Sequence, residues 1–478
     1  MLIIDAAIAI DASGPLPGPV RLTIADGVIA AVEPLPDGAD GDAIVLPAIA
    51  NAHDHARPVR ASSIGSFGRP LETWLHRLQL FGPVDPYLAA AAAFGRAALG
   101  GQGAAMVHYT RPWGPKPLPE EAAEVARAAR DVGIRIAFGV AMRDANPLVY
   151  GDPAPVLDRL SPETRSEIEG RFLSPLPPVP AQMALVDAVA ERAVGPMIDV
   201  QYAPNGVQWC SRALLEAIAE GSASNGRRIT THLLETRYQR DWADAAFPGG
   251  MVRYLAEIGF LSPRTTLAHC TWARPDELET IAESGATIAV NTSSNLALRS
   301  GIAPVHEMIR RGCRVALGVD GQAFDEDDDA IREMRLLWSL QAGWGFEAGV
   351  TTGDVLRAAL AAGRPALNAP GGGLIAPGEP ADLVVLDRAD LDEDAIMPVA
   401  PVDLVFSRAT ARHVREVLVA GRTIASRGRV LGIDLDAAQA ELRAAFRAGL
   451  PGRARFACAL PELEDAIRDH YAPRIGCC

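Results

Sequence analysis

The chain has 478 residues, of which 49% are hydrophobic, and this predicts one large domain with an ample core plus a smaller domain. Its formal net charge of −14 at pH 7 argues against a nucleic-acid partner, because a phosphate backbone attracts basic surfaces. No apolar run reaches membrane-spanning length, the start MLIIDAAIAI lacks a basic signal-peptide segment, and the six cysteines form no CxxC pair, so we expect a cytoplasmic protein with no membrane partner.

Both ends of the chain predict short strands. Near the start, LIIDAAIAI and VRLTIADGVIAAV alternate in polarity, and Asp26-Gly27 is a strong hairpin signal. Near the other end, ADLVVLD and REVLVAGRTIASRGRV have the same character. Neither piece is large enough to bury its own apolar face. We therefore predict one small β-sandwich domain built from residues 1–45 and 366–435.

Residues 46–365 alternate between short apolar segments and helical stretches, many of which end in glycine. Eight such units predict a (β/α)₈ TIM-like barrel as the catalytic domain, with its site at the carboxyl ends of the strands. A doubly wound sheet is the alternative, but it would not require eight similar units. The strand candidates are 43–53, 103–109, 133–141, 197–204, 227–232, 265–269, 286–291 and 313–320.

Three further segments complete the organisation. Residues 56–85 and 143–180 are expected to be long loops, either lids over the barrel mouth or packed connections. The stretch DLDAAQAELRAAFRAGL predicts an amphipathic helix that docks on the core or on a neighbouring subunit. We therefore assign residues 436–478 to a C-terminal helical extension.

Metal-ligand residue types stand at the ends of four predicted strands. Strand one gives His53 and His55, strand five His232, strand six His269 and strand eight Asp320. Residues two apart on a strand share a face, so the first two can point at one ion, while the residue between them should point into the barrel wall. Because strand ends converge in a barrel, the pattern predicts a metal site.

Five motifs occur in a characteristic order: NAHDH (51–55), THLLE (231–235), LAHC (267–270), SSNLALRSGIAPV (293–305) and LGVDG (317–321). With them the chain resembles the amidohydrolase superfamily, in particular its branch of cytosine deaminases, guanine deaminases and triazine hydrolases. The resemblance implies that the metal ligands are His53, His55, His232 and Asp320. It also implies that His269 assists the water or the substrate, and that the protein is a homo-oligomer.

The resemblance also bears on the number of metal ions. Binuclear members of the superfamily bridge two ions with a carboxylated lysine at the end of strand four. Here that segment reads MIDVQYAPNG, and the only lysine in the chain, Lys116, lies in the loop after strand two. We therefore expect one divalent ion per chain. Zinc is the default, although three histidines and an aspartate also suit iron, cobalt or manganese.

Glu235 follows His232 in the order HLLE, and in mononuclear deaminase-like relatives such a glutamate shuttles protons. Elementary chemistry supports the role. A metal ion activates a water, Asp320 can accept the second proton of that water, and a separate acid must protonate the departing nitrogen. We therefore predict Glu235, His269 and Asp320 as the catalytic residues.

Polar and aromatic residues after strands two and four are expected to bind the substrate: His108, Tyr109, Trp113, Tyr202, Asn205 and Gln208. Arg111, Trp209, Arg237 and Gln239 are weaker candidates. Relatives often carry a histidine after strand four where this chain reads APNG, so the substrate of the best-known deaminases cannot be transferred.

The pattern as a whole predicts a hydrolase that splits a C–N bond of a small molecule. We expect deamination of a nitrogen heterocycle, because HxxE is most typical of that reaction. The alternative is hydrolysis of an amide, urea or carbamate, or a triazine-type hydrolysis, on the same scaffold. A non-catalytic assembly relative is a third reading, but such relatives have lost metal ligands that this chain retains.

Overall fold

The computed structural model describes residues 1–36, 39, 41–193, 195–321 and 326–472. Within these residues, eight parallel strands lie side by side in chain order, and the first and last strands meet where the Ala52 amide donates to the Leu317 carbonyl at 2.8 Å. This confirms the (β/α)₈ barrel. Its strands, numbered one to eight here, are Ile49–Asn51, Gln102–Tyr109, Arg135–Met142, Ile198–Pro204, Ile229–Leu233, Thr265–His269, Thr287–Val290 and Arg314–Leu317.

Helices cover the outside of the barrel. In the helix Leu118–Val132 the buried side chains recur every three to four residues, and the helix ends where Gly133 adopts a φ of 92° and donates to the Ala129 carbonyl. No helix among the described residues is long and apolar enough to cross a membrane. Apart from the short helices of the segment 143–180, which are given below, the other helices between residues 86 and 408 are Pro86–Leu99, Val179–Arg192, Arg212–Asn225, Arg237–Ala246, Met251–Glu257, Pro275–Ser284, Thr292–Ala297, Val305–Arg310, Ala330–Gln341, Thr352–Arg357, Gly363–Ala366, Arg388–Leu391 and Pro401–Arg408.

Strands from both ends of the chain form a second sheet, as predicted. The strands expected to build a sandwich are joined in one hydrogen-bonded sheet of nine strands. In sheet order they are Arg429–Val430, Arg422–Ser426, Val414–Val419, Leu383–Asp387, Ala43–Pro47, Leu2–Asp11, Val20–Ala25 and Val28–Pro34, and Gly14–Pro15 pairs with Leu2–Asp11. The residue bounds given above for the domains stay a prediction.

The predicted first barrel strand, 43–53, is split between the two sheets. Ala43–Pro47 pairs with Leu2–Asp11 and with Leu383–Asp387 in the terminal sheet, and only Ile49–Asn51 joins the barrel. The amide of Ala48, between them, donates to the Asp382 carbonyl at 2.8 Å. One continuous apolar run therefore serves two sheets, because both of its parts are buried and periodicity cannot separate them.

The segments 56–85 and 143–180, expected as loops, contain the short helices Leu71–Arg77, Ala154–Leu157 and Pro162–Phe172. The C-terminal extension holds two helices, and the first, Leu435–Gly449, packs on the helix Pro86–Leu99. The predicted amphipathic helix thus docks on the chain's own core. Residues 473–478 of the extension lie outside the described residues.

The second C-terminal helix, Ala454–Tyr471, packs against both long segments. Its Glu464 carboxylate lies 2.6 Å from Arg69 and 2.5 Å from Arg77 of the first segment. Its apolar face shares a buried cluster with Leu148, Val149, Tyr150, Val156, Leu157, Leu160, Ile168 and Phe172 of the second segment. Both segments are therefore packed connections in this structure, and residues of both line the cavity described below.

Candidate active site

Four side chains predicted to bind metal converge at the carboxyl end of the barrel. Nε2 of His55 lies 3.1 Å from Oδ1 of Asp320, and Nε2 of His53 lies 3.4 Å from the same oxygen. Nε2 of His232 lies 3.3 Å from Nε2 of His55. A tetrahedral ion with ligand distances of about 2.0–2.1 Å separates its ligand atoms by about 3.4 Å. The spacing therefore fits a single ion.

Hydrogen bonding leaves the ligand atoms free to bind this ion. His55 donates from Nδ1 to the His108 carbonyl at 2.9 Å, which leaves the lone pair on Nε2. Nε2 of His53 and Oδ1 of Asp320 are buried without a hydrogen-bond partner. Burial lowers the pKa of His53 to about 4, so its imidazole is neutral and can act as a ligand near pH 7. Buried polar atoms without partners are costly, and a cation would satisfy them.

His269 and Glu235 stand beside the ligand cluster. Nε2 of His269 lies 3.7 Å from Oε2 of Glu235, and one ring nitrogen each of His53, His232 and His269 lie within 4.8 Å of one another. Burial raises the pKa of Glu235 to about 7, against the opposing charge of His269. Glu235 can therefore carry a proton near neutral pH, as a general acid requires.

The segment 293–305 supports all three predicted catalytic residues. The Ser294 hydroxyl donates to Oδ2 of Asp320 at 2.5 Å, Oδ1 of Asn295 accepts from Nδ1 of His269 at 2.8 Å, and the Ser300 hydroxyl lies 3.2 Å from Oε1 of Glu235. The sequence motif SSNLALRSGIAPV therefore has a physical reason. It fixes the orientation of the groups that meet at the metal position.

We expect Asn295→Ala to lower turnover by about 10–100-fold, because His269 loses the acceptor that fixes its tautomer. The measurement is kcat with metal content determined on the same sample. Asn225→Ala is the matched control, since Asn225 donates to the Tyr202 hydroxyl far from the cluster. Equal kcat values for the Asn295 variant and the wild type would contradict a positioning role for this amide.

Four non-glycine residues at the ends of strands five, six and eight have left-handed backbone conformations: Leu234 with φ 50°, His269 with φ 77°, Cys270 with φ 48° and Asp320 with φ 60°. Such conformations cost free energy and persist where the surrounding structure enforces them, often at functional sites. Here they turn the chain immediately after the strands that carry His232, His269 and Asp320.

Asp54, between the two strand-one histidines, points away from the cluster. Its Oδ2 accepts from Nδ2 of Asn51 at 2.7 Å, and its Oδ1 accepts from the Ala56 amide at 2.7 Å. Oδ1 of Asn51 in turn accepts from the Val319 amide at 2.9 Å. The pair therefore ties strand one to the segment that carries Asp320.

A cavity of about 320 Å³ opens above the cluster, a size suited to a small organic molecule. Of the six residues expected to bind substrate, Tyr109, Trp113 and Asn205 line it. His108 lies below Asn205, 3.3 Å from Nε2 to Oδ1, and its ring centroid is 4.8 Å from that of His232.

Three of the residues expected to contact the substrate, His108, Tyr202 and Gln208, do not line this cavity. Tyr202 is fully buried in the core against the helix Arg212–Asn225, where its hydroxyl accepts from Nδ2 of Asn225 at 2.9 Å. Gln208 is buried in the turn after strand four and does not line the cavity. On strand four, residues 201 and 203 face the barrel interior, so the intervening tyrosine must face outward.

The weaker candidates for substrate binding differ in whether they line the cavity. Arg111, Trp209 and Gln239 line the cavity, and Arg237 does not. Oε1 of Gln239 accepts from the Glu235 amide at 2.8 Å and so holds the backbone of the predicted acid. Sequence reasoning missed further lining residues that no motif marks, contributed by the two long segments and by the end of strand three: Arg57, Leu71, Trp74, His76, Arg143, Arg171 and Phe172.

The fold and site together define a class of protein, a (β/α)₈-barrel hydrolase whose histidines and aspartate meet at one metal position. A comparison with family models matches residues 44–424 to the amidohydrolase family. The chain therefore belongs to the amidohydrolase family. This confirms the resemblance and the enzyme class predicted from the sequence, a hydrolase of carbon–nitrogen bonds other than peptide bonds.

Similar proteins include deaminases of comparable length. The 5-methylthioadenosine/S-adenosylhomocysteine deaminase of Nitratidesulfovibrio vulgaris is 30% identical over 438 residues, which cover 88% of this chain and 91% of that protein. A 5′-deoxyadenosine deaminase of Methanothermobacter thermautotrophicus is 36% identical over 193 residues, which cover 40% of this chain and 44% of that protein.

Solved structures show the same architecture. An adenosine deaminase from Xanthomonas campestris with bound zinc has a TM-score of 0.73 and 21% identity, covering 94% of this chain and 98% of its own. An atrazine chlorohydrolase from Arthrobacter aurescens complexed with zinc has a TM-score of 0.72 and 21% identity, covering 93% of this chain and all of its own. At this identity the likeness establishes the fold.

Proposed function

We propose that this chain holds one divalent metal ion, zinc, on His53, His55, His232 and Asp320, and that it deaminates a small nitrogen heterocycle by hydrolysis. The observation that carries the proposal is the buried Glu235 carboxyl beside this ligand cluster, 3.7 Å from Nε2 of His269. The names of the similar proteins, which are deaminases, and the zinc in the similar structures support it.

Different side chains accept and donate the protons of the reaction. An ion held by His53, His55, His232 and Asp320 would supply Lewis acidity that activates a water for attack on a trigonal carbon. Asp320, held at Oδ2 by Ser294, presents Oδ1 beside His53 and His55 and accepts the proton released there. Glu235 donates its proton to the ring nitrogen or leaving nitrogen, because an amide anion is a very poor leaving group.

Other residues orient the substrate and its developing charge. His269 presents Nε2 to the same space while Asn295 holds its Nδ1. His108 is held at Nε2 by Oδ1 of Asn205, at the position where relatives often carry a histidine from strand four. We propose that Asn205, oriented by His108, contacts the substrate ring, with Tyr109 and Trp113 as the aromatic walls.

Amide, urea or carbamate hydrolysis, or a triazine-type reaction, is the alternative, because the same groups would serve it. This chain has Asn205 in the segment after strand four, where deaminase relatives often carry a histidine, and this difference favours the alternative. A cytoplasmic location and a homo-oligomeric state are also proposals, based on cysteine usage and on the family resemblance.

The test is a screen of the zinc-loaded enzyme with purines, pyrimidines, triazines, pterins, ureas and anilides for release of ammonia or an amine. Ammonia release from a heterocycle would support deamination. Amine release from ureas or anilides alone would favour the alternative. No turnover with any class, together with no metal bound after reconstitution, would contradict the enzyme proposal.

We expect full activity at one equivalent of metal per chain, because the clustered ligand atoms fit one ion and strand four carries no lysine to bridge a second. The measurement is metal content by inductively coupled plasma spectrometry against kcat during stepwise reconstitution. Activity that reaches its maximum only near two equivalents would contradict the mononuclear assignment.

A further inference from the structure

The cavity is rich in arginine although the chain as a whole carries a net charge of −14. Four guanidinium groups line it, and the acidic side chains that line it are Glu235 and Asp320, both already engaged in the catalytic cluster. The four arginines are Arg57, Arg111, Arg143 and Arg171. The mouth of the site is therefore positively charged within a negatively charged molecule, which attracts anions to this cavity and away from the rest of the surface.

Two of these arginines have partners that explain them structurally. Arg57 donates to the Asp320 carbonyl at 2.5 Å and its guanidinium lies 4.7 Å from the ring centroid of Trp74. Arg171 pairs with the Glu167 carboxylate at 2.6 Å. Both can be understood as parts of the scaffold.

Arg57 also lies 4.0 Å from Oδ1 of Asp320, whereas Arg111 and Arg143 have no carboxylate partner among the described residues. Arg111 donates to the Phe81 carbonyl at 3.2 Å, and its guanidinium lies 4.4 Å from the ring centroid of Trp113. The Arg143 guanidinium donates to the Ala145 carbonyl at 3.5 Å. In the part of the chain that the structure describes, no carboxylate forms an ion pair with either guanidinium, and none is among the groups that shift their pKa values. Burial lowers the pKa of Arg111 to about 10, with a further contribution from Arg453, and burial also lowers the pKa of Arg143.

Both side chains are partly buried, and a partly buried guanidinium without a counter-charge costs free energy that an anion bound in the cavity would offset. The two arginines follow strands two and three, which are neighbours in the barrel, so both side chains enter the cavity from the same side. A guanidinium presents its N–H groups in a planar fork that matches the oxygens of a carboxylate or phosphate.

We propose that the substrate carries an anionic substituent, a carboxylate or a phosphate, and that Arg111 and Arg143 bind it. This inference rests on the proposed function, since it names the class of heterocycle that the enzyme deaminates. The cavity of about 320 Å³ accommodates a small heterocycle with a short acidic arm. Anchoring that arm would orient the ring toward Glu235 and the metal position.

The experiment compares binding of 2-aminopyrimidine-5-carboxylate with binding of its uncharged carboxamide to the zinc-loaded enzyme by isothermal titration calorimetry. We expect the carboxylate to bind at least about tenfold tighter, because hydrogen bonds to charged groups are the stronger ones. The corresponding phosphonate is a third probe. Tighter binding of the phosphonate than of the carboxylate would support the site and assign phosphate as its class.

Arg111→Met and Arg143→Met are each expected to abolish most of the preference for the anion, while Arg111→Lys, which keeps the charge but loses the fork, retains part of it. Zinc content and circular dichroism of each variant confirm that it is folded. Arg227→Met is the matched control and keeps the preference, because that guanidinium pairs with the Asp187 carboxylate at 2.9 Å and does not line the cavity. An equal loss in the control would overturn the assignment to these two side chains.

Equal affinity of the wild type for the carboxylate and the carboxamide would overturn the proposal. That result, together with ammonia release from neutral heterocycles, would leave the proposed function intact. Tight, arginine-dependent binding of anions without ammonia release from any heterocycle would support the anion site and contradict the proposed deamination. The failure of one proposal can therefore be distinguished from the failure of the other.

Discussion

Glu235→Gln is expected to keep the metal and to lower kcat by about 10²–10⁴-fold, the usual contribution of a positioned general acid. The amide has the same shape as the carboxyl group, so it can still contact the Ser300 hydroxyl and fill the same buried space. It cannot deliver a proton to a departing nitrogen. The measurement is ammonia release under saturating substrate, with zinc content determined in parallel.

Glu333→Gln is the matched control for this variant. Glu333 is equally buried, burial likewise raises its pKa to about 7, and it accepts from the Ser293 amide outside the cavity. Because glutamine retains that acceptor, we expect kcat within a few-fold of the wild type. Wild-type turnover in the Glu235 variant would show that another group delivers the proton, and a zinc-free variant would show that the carboxyl group serves the metal instead.

Local periodicity was sufficient for much of this site. Alternation along strand one places His53 and His55 on one face and turns Asp54 away, and the structure shows this arrangement. The absence of lysine from strand four is likewise a property of the sequence alone. The barrel also follows from repeated local units, since each strand pairs with the next one along the chain.

The residues that the sequence did not reveal depend on contacts between distant segments. Ala43–Pro47 left the barrel because its partners, Leu2–Asp11 and Leu383–Asp387, come from the two ends of the chain. Trp74 and Phe172 line the cavity because the helix Ala454–Tyr471 packs on the segments that carry them. No local pattern encodes these contacts, so the substrate-binding wall could not be read from periodicity.

The hydrogen bonds that hold the catalytic groups were only partly predictable from the sequence. The motif SSNLALRSGIAPV was recognisable as a resemblance, but its hydrogen bonds to Asp320, His269 and Glu235 became visible only when strands five to eight were brought together. Its polar residues occupy buried positions, where polar side chains need partners. That physical rule could have predicted that the motif bonds to the site, but it could not have assigned the pairs.

His53→Asn is expected to cause the largest loss of all, because it removes a ligand at the centre of the cluster. Nε2 of His53 lies 3.4 Å from Oδ1 of Asp320 and its ring is fully buried. The other histidine at the end of strand one, His55, is itself a proposed ligand and cannot replace it. We expect zinc content to fall well below one equivalent and turnover to fall to the uncatalysed background. Without a bound ion, the pKa of the attacking water would stay far above neutral pH, so little hydroxide would form.

The matched control is His76→Asn. His76 is also buried, and burial lowers its pKa to about 4, as it does for His53. However, its ring packs edge-on against Phe172, with 5.2 Å between the ring centroids, and it is not part of the ligand cluster. We expect this variant to keep one equivalent of zinc, measured after dialysis against metal-free buffer, with circular dichroism to show that both variants are folded. If the His53 variant instead retained one tightly bound zinc and normal turnover, the ion would have to be held by His232 and His269 without strand one. The spacing of NAHDH would then reflect packing at the barrel end and not metal binding.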